Sequence, residues 1–130
     1  MNRAFARFII CLSIILSISL ILYSLPQEKI INFSNYPNPF DSRIQNTEII
    51  YELESDSEVT IKIYDLLGYP VREYSFSSGS NGGGQGWNRV VWNGENENGD
   101  KVAKGGYICW LYIDRGERFA QAYHKIGVIH

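Results

Sequence analysis

A chain of 130 residues is the length of one ordinary domain, which excludes a multidomain enzyme. Hydrophobic residues make up 45% and charged residues 20%, and Ile, Val and Tyr outweigh a sparse Ala, so neither a disordered tail nor a coiled coil fits. The formal net charge is −2, with no cluster of Lys and Arg to neutralise phosphates, so no nucleic-acid partner is expected.

Residues 1–24 stand apart from the rest. Arg3 and Arg7 give a basic start, and residues 8–22 (FIICLSIILSISLIL) carry no charge. A basic segment followed by an apolar run is the pattern of a secretory signal peptide, expected as an apolar leader helix. Ser17 and Ser19 offer the small residues that a cleavage site needs. A cleaved signal is preferred over an uncleaved anchor that would hold residues 8–25 in the inner membrane. The remainder is then extracytoplasmic: periplasmic, at the cell surface or secreted. A membrane contact is expected only if the leader stays on. Without the leader, Cys109 is the one cysteine left, so no disulfide can form within the chain. Its apolar run, residues 107–113, marks it as a small buried hydrophobe rather than a reactive thiol.

Residues 25–46 read as a linker with a first extended segment at 30–33, followed by Asn35-Tyr36-Pro37-Asn38-Pro39-Phe40. Two prolines so close exclude helix, and the segment should run along an edge with Tyr36 and Phe40 available to pack. From Thr47 the pattern has period two. Ile49, Tyr51 and Leu53 share one face, and Val59, Ile61 and Ile63 share another. The Ser55-Asp56-Ser57 turn between them predicts a hairpin. Leu67-Gly68-Tyr69-Pro70 is the next turn, and residues 71–76 form a weaker strand whose slipping alternation predicts a bulge.

Residues 77–86 (SSGSNGGGQG) read as a flexible hairpin loop, without the Gly-Lys-Ser/Thr of a phosphate cradle. Residues 87–92 form a strand with Val90 and Trp92 inward, residues 93–104 a long polar connection, and residues 105–114 and 117–129 a second hairpin. Residues 47–130 are therefore expected to form an all-β, antiparallel β-sandwich of about seven strands, with a small barrel as the alternative.

Catalytic chemistry has little to work with. The chain has two histidines, His124 and the terminal His130, and His124 reads as a surface residue. There is no Gly-x-Ser-x-Gly and no His-x-x-x-His, so no enzyme and no cofactor are expected. Glu95, Glu97 and Asp100 could offer oxygens to Ca²⁺, but Asn/Asp/Gly clusters of this kind are ordinary turn material, and an Asx-turn loop is the preferred account. The aromatic residues are more telling. If Tyr107, Cys109 and Leu111 point inward, Ile108, Trp110 and Tyr112 point outward. Trp87 also faces out if Val90 and Trp92 face in. An outward Trp/Tyr/Ile stripe marks a contact surface for a partner protein of the envelope or cell surface. The competing account is that segment 36–40 folds over this face.

Several pieces stand in one order: Asn35-Tyr36-Pro37-Asn38-Pro39-Phe40; Val59-x-Ile61-x-Ile63-Tyr64-Asp65-Leu66-Leu67-Gly68-x-x-Val71-Arg72; Gly86-x-x-x-Val90-x-Trp92-Asn93-Gly94; Gly99-x-x-Val102-Ala103-x-Gly105-x-Tyr107; and Lys125. Over residues 33–129 this set resembles the FlgD/Vpr-type Ig-like domain. That family includes the Ig-like part of flagellar hook-cap scaffolds and is similar to the C-terminal sorting domains of type IX secretion. The resemblance implies an Ig-like sandwich acting as a non-catalytic interaction or assembly module outside the cytoplasm. The alternative it implies is a secretion-targeting domain.

Overall fold

The period-two alternation of the sequence becomes two facing antiparallel sheets. The computed structural model describes residues 2–23, 29–116 and 119–130. One helix, α1 (Arg3–Tyr23), precedes seven strands: β1 (Ile30–Tyr36), β2 (Thr47–Leu53), β3 (Glu58–Asp65), β4 (Pro70–Phe76), β5 (Gly86–Trp92), β6 (Gly105–Asp114) and β7 (Phe119–Val128). One sheet has the order β1-β2-β5 and the other β4-β3-β6-β7. The sandwich thus takes in residues 30–46, which the sequence sets apart as linker, because β1 pairs antiparallel with β2.

Apolar side chains of alternate residues fill the space between the sheets. Ile49, Tyr51 and Leu53 of β2 meet Val59, Ile61 and Ile63 of β3 and Cys109, Leu111 and Ile113 of β6, all buried. Trp92 is fully buried at one end, its ring edge-on to Phe40 and Tyr107 with centroids 5.6 Å away in each case. Its indole N–H donates to the Glu95 carbonyl at 3.0 Å, which satisfies the polar atom that burial would otherwise orphan. Phe40 reaches this core because its backbone joins the edge of β7, in a parallel bridge with Val128. The expected bulge is present: the β3–β4 register shifts at Ile63/Tyr64, where Ile63 faces Arg72 and Tyr64 faces Pro70, leaving Val71 unpaired.

Two expectations are corrected. Strands β2 and β3 do not form a hairpin; the turn at 54–57 carries the chain from one sheet to the other. Both strands have an apolar face, and burying those faces against each other across the core removes more apolar surface than placing them side by side. Residues 77–86 are not a flexible hairpin loop either, since β4 and β5 lie in different sheets. The buried Asn88 side chain accepts from the amides of Gly82 and Gly84 and donates to the carbonyls of Gly84 and Gly86. Ser57 N and Gly79 N both donate to the Gly83 carbonyl, at 3.0 and 2.8 Å. Glycine is required at Gly83 by close approach: a Cβ there would fall 2.6 Å from the Ser57 oxygen and nearer still to the Ser77 oxygen.

Helix α1 leaves Phe8, Ile10 and Leu16 exposed. Among the described residues no helix is long and apolar enough to cross a membrane, and residues 24–25, the end of the segment read as an anchor, lie outside the described residues.

Candidate partner-binding surface

Strand β6 lies between β3 and β7, so its outward side chains sit at the middle of the four-stranded sheet. Tyr107, Cys109, Leu111 and Ile113 are buried, and strict alternation turns Ile108, Trp110 and Tyr112 to the outer face. The uninterrupted β6–β7 register sets Trp110 opposite Tyr123, and Asp114 opposite Phe119. Four rings therefore form a ladder. Tyr123 and Trp110 lie 6.4 Å apart between centroids, Trp110 and Tyr112 5.3 Å, and Tyr112 and Phe119 6.1 Å, each pair inclined by 30° or less. Offset stacking at these distances holds each ring by about 0.5–1.5 kcal/mol beyond its buried area.

Polar groups fix the middle of the ladder. The Trp110 indole N–H donates to the Gln121 side-chain oxygen at 3.2 Å. The Lys62 ammonium, paired with Glu73 at 3.7 Å, stands 5.9 Å from the Trp110 ring centre. Trp110 and Tyr112 are half-buried by their neighbours, whereas Tyr123 is 64% and Phe119 61% exposed. The two most exposed rings were missed in the sequence, because the order of residues in β7 does not reveal which of them face β6 partners until the register is known. Ile108 continues the row beside Tyr64 and Lys125.

Trp87 does not belong to this surface. It is exposed, as the sequence implies, but it lies in β5 on the outer face of the other sheet, beside Glu52 of β2. The sandwich separates it from Trp110 by its full thickness. Nor does segment 36–40 cover the ladder. Phe40 enters the core, and Asn38 lies along the edge of β7, donating to the Lys125 carbonyl and accepting from the Gly127 amide, both at 2.9 Å.

The carboxylates of loop 93–104 point to separate tasks. Glu95 pairs with Lys101 at 3.5 Å, and its carboxyl is held below the ordinary range by the Asn93 side chain and by Lys101. Glu97 accepts from the Glu73 amide at 2.6 Å, and its own amide donates to the Val71 carbonyl at 3.0 Å. The Asn96 side-chain oxygen accepts from the Asn98 amide at 2.9 Å, the geometry of an Asx turn, and from the Asp100 amide at 3.0 Å. Among the described residues no three His, Cys, Asp or Glu side chains converge to hold a metal.

His124 is not a plain surface histidine. It is half-buried, 5.8 Å from the Phe33 ring centre, and burial lowers its pKa from 6.5. Cys109 is fully buried, and burial pushes its thiol up to about 12, so it is inert as a nucleophile.

No protein-family model and no curated protein sequence matches the chain. Solved structures do share its fold. Dimeric latent PorU from Porphyromonas gingivalis matches with a TM-score of 0.65 and 18% identity, over 81% of this chain and 10% of that one. PorZ, an essential bacterial surface component of the type IX secretion system of the same organism, matches with a TM-score of 0.54 and 21% identity, over 76% of this chain and 12% of PorZ. FlgD from P. aeruginosa matches with a TM-score of 0.57 and 14% identity, over 78% of this chain and 73% of FlgD. The chain thus spans about a tenth of PorU and PorZ and most of the FlgD chain. The fold of residues 30–128 is the antiparallel Ig-like sandwich of the FlgD type.

Proposed function

We propose that this protein is a non-catalytic, extracytoplasmic assembly module of the FlgD/Vpr Ig-like kind, exported by residues 1–24. Its outer aromatic ladder is the surface that a protein partner of the envelope or cell surface contacts. The ladder carries the reading: four stacked rings, two of them more than 60% exposed, stand on a sheet face that the chain leaves uncovered among its described residues. Aromatic residues of this kind dominate binding energy when a partner desolvates them. Support for the setting comes from the fold shared with FlgD and with the surface component PorZ, and from the basic-apolar leader. The non-catalytic reading draws support from the buried, inert thiol and from the engagement of the Glu95 and Glu97 carboxylates within the domain.

The ordered motif set also resembles type IX sorting domains, which favours secretion targeting as the second reading. A reporter fused ahead of residues 29–130 separates the two. In the assembly reading the reporter stays in the periplasm, and the domain retains an envelope protein that is lost with Trp110→Ala/Tyr123→Ala. Passage of the reporter across the outer membrane, undiminished by those substitutions, establishes targeting instead.

A further inference from the structure

Each sheet ends in strands whose outer N–H and C=O groups need a partner or a guard. At β4, Glu97 supplies both, bonding the Val71 carbonyl and the Glu73 amide. At β5, the Tyr74 hydroxyl donates to the Val91 carbonyl at 3.2 Å, and Arg89 puts a charge on the strand. At β1, the register breaks between Ile31 and Ser34, with Asn32 at φ 53°, a bulge that spoils strand addition. At β7, Asn38 and Phe40 bond to Lys125, Gly127 and Ile129. These bonds show that odd-numbered residues of β7 turn their backbone groups to the edge. By the same alternation Phe119, Gln121 and Tyr123 do so too, and among the described residues nothing bonds to them there.

This free stretch, Phe119-Ala120-Gln121-Ala122-Tyr123, carries no charge. It is symmetric in kind: an aromatic at each end, Ala inside each, and Gln121 at the centre. We propose that its occupant is the same stretch of a second copy of this chain, paired antiparallel about a twofold axis through Gln121. In that register Phe119 of each copy lies opposite Tyr123 of the other, an aromatic cross-strand pair, and the two Gln121 residues face each other. Both four-stranded sheets join into one, and the two aromatic ladders run on into each other on the same face, Tyr123 of one copy meeting Phe119 of the other. The pairing goes beyond the partner reading of the ladder and stands whether or not the ladder binds another protein.

Charge reversal at the centre tests both the pairing and its register. Gln121 is exposed, so its replacement leaves the fold intact, which circular dichroism verifies. The full chain in mild detergent is followed by sedimentation. The native chain should form dimers as concentration rises. Gln121→Lys alone and Gln121→Glu alone should each associate about tenfold or more weakly, because like charges then face each other, and an equimolar mixture should recover the dimer. In a Cys11→Ser background, Gln121→Cys should cross-link on oxidation, since opposed residues of such a pair lie about 5.5 Å apart between Cα atoms, whereas Thr60→Cys on the same face should not. A native chain that stays monomeric, or a dimer indifferent to both charge variants, overturns the proposal. A monomeric chain that loses a different protein on Gln121→Lys also overturns it.

Discussion

The Tyr51 hydroxyl donates to the Gly82 carbonyl at 2.6 Å, joining the centre of β2 to the glycine-rich connection at 77–86. Tyr51 is fully buried, and burial raises its pKa, so the phenol stays protonated and remains a donor. Tyr51→Phe removes the donor and leaves a buried carbonyl without it. The expected loss is about 1–3 kcal/mol in a denaturant melt, with the fold retained.

Gly83 tests whether that connection is a built part of the domain. Gly83→Ala would drive a methyl group into the backbone oxygens of Ser57 and Ser77, neither of which can move without breaking its neighbours. A destabilisation of about 1–3 kcal/mol or more is expected, whereas Gly84→Ala, whose nearest neighbour would be 3.4 Å away, should cost under about 1 kcal/mol. Equal, small effects at both positions would show a loop that yields.

His124 introduces a pH dependence whose sign is fixed. Its folded pKa lies below 6.5, with Phe33 against the ring and the Asn38 amide 3.5 Å from Nε2. The unfolded chain therefore takes up the proton first on acidification. The stability due to the neutral ring is full above pH 6.5 and is lost as the pH falls through the lower folded value. Urea midpoints should decline just below pH 6.5, and His124→Gln should flatten that part of the curve. Asp41, held at about 2 chiefly by its hydrogen bond from Arg43, acts only in a far more acidic range.

Cys109 should resist alkylation in the native chain, because its thiol is buried and its pKa pushed up to about 12. Mass spectrometry of a Cys11→Ser chain treated with iodoacetamide should show no adduct until denaturant is added. Native labelling at a rate like that of free cysteine would contradict the core packing.

Much of this fold is legible one strand at a time. The alternations at 49–53, 59–63 and 107–113 name the core faces correctly, because a strand half-buried on a sheet must repeat every second residue. Which strands become neighbours is not local information. The turn at 55–57 looks the same whether it closes a hairpin or crosses between sheets, so β2 and β3 were expected side by side. The same limit affects the site. Outward Trp110 and Tyr112 follow from alternation, but Phe119 and Tyr123 join them, and Trp87 leaves them, only through register and sheet assignment. Glycine runs are ambiguous as well: 82–83 look like slack in the sequence, yet in the fold they are where Phe76, Ser57 and Ser77 approach too closely for any side chain.

On the proposed reading the ladder is a surface held ready for a partner and not a second core. A urea melt of Trp110→Ala beside Trp92→Ala tests it most directly. Trp92 is fully buried between the sheets, and its loss should destabilise the chain by about 3–5 kcal/mol. Trp110 is half-buried and held by two stacked neighbours, each worth about 0.5–1.5 kcal/mol, so its loss should cost about 1–3 kcal/mol, below that of Trp92. A loss at Trp110 as large as that at Trp92 would make it a structural residue and contradict the account.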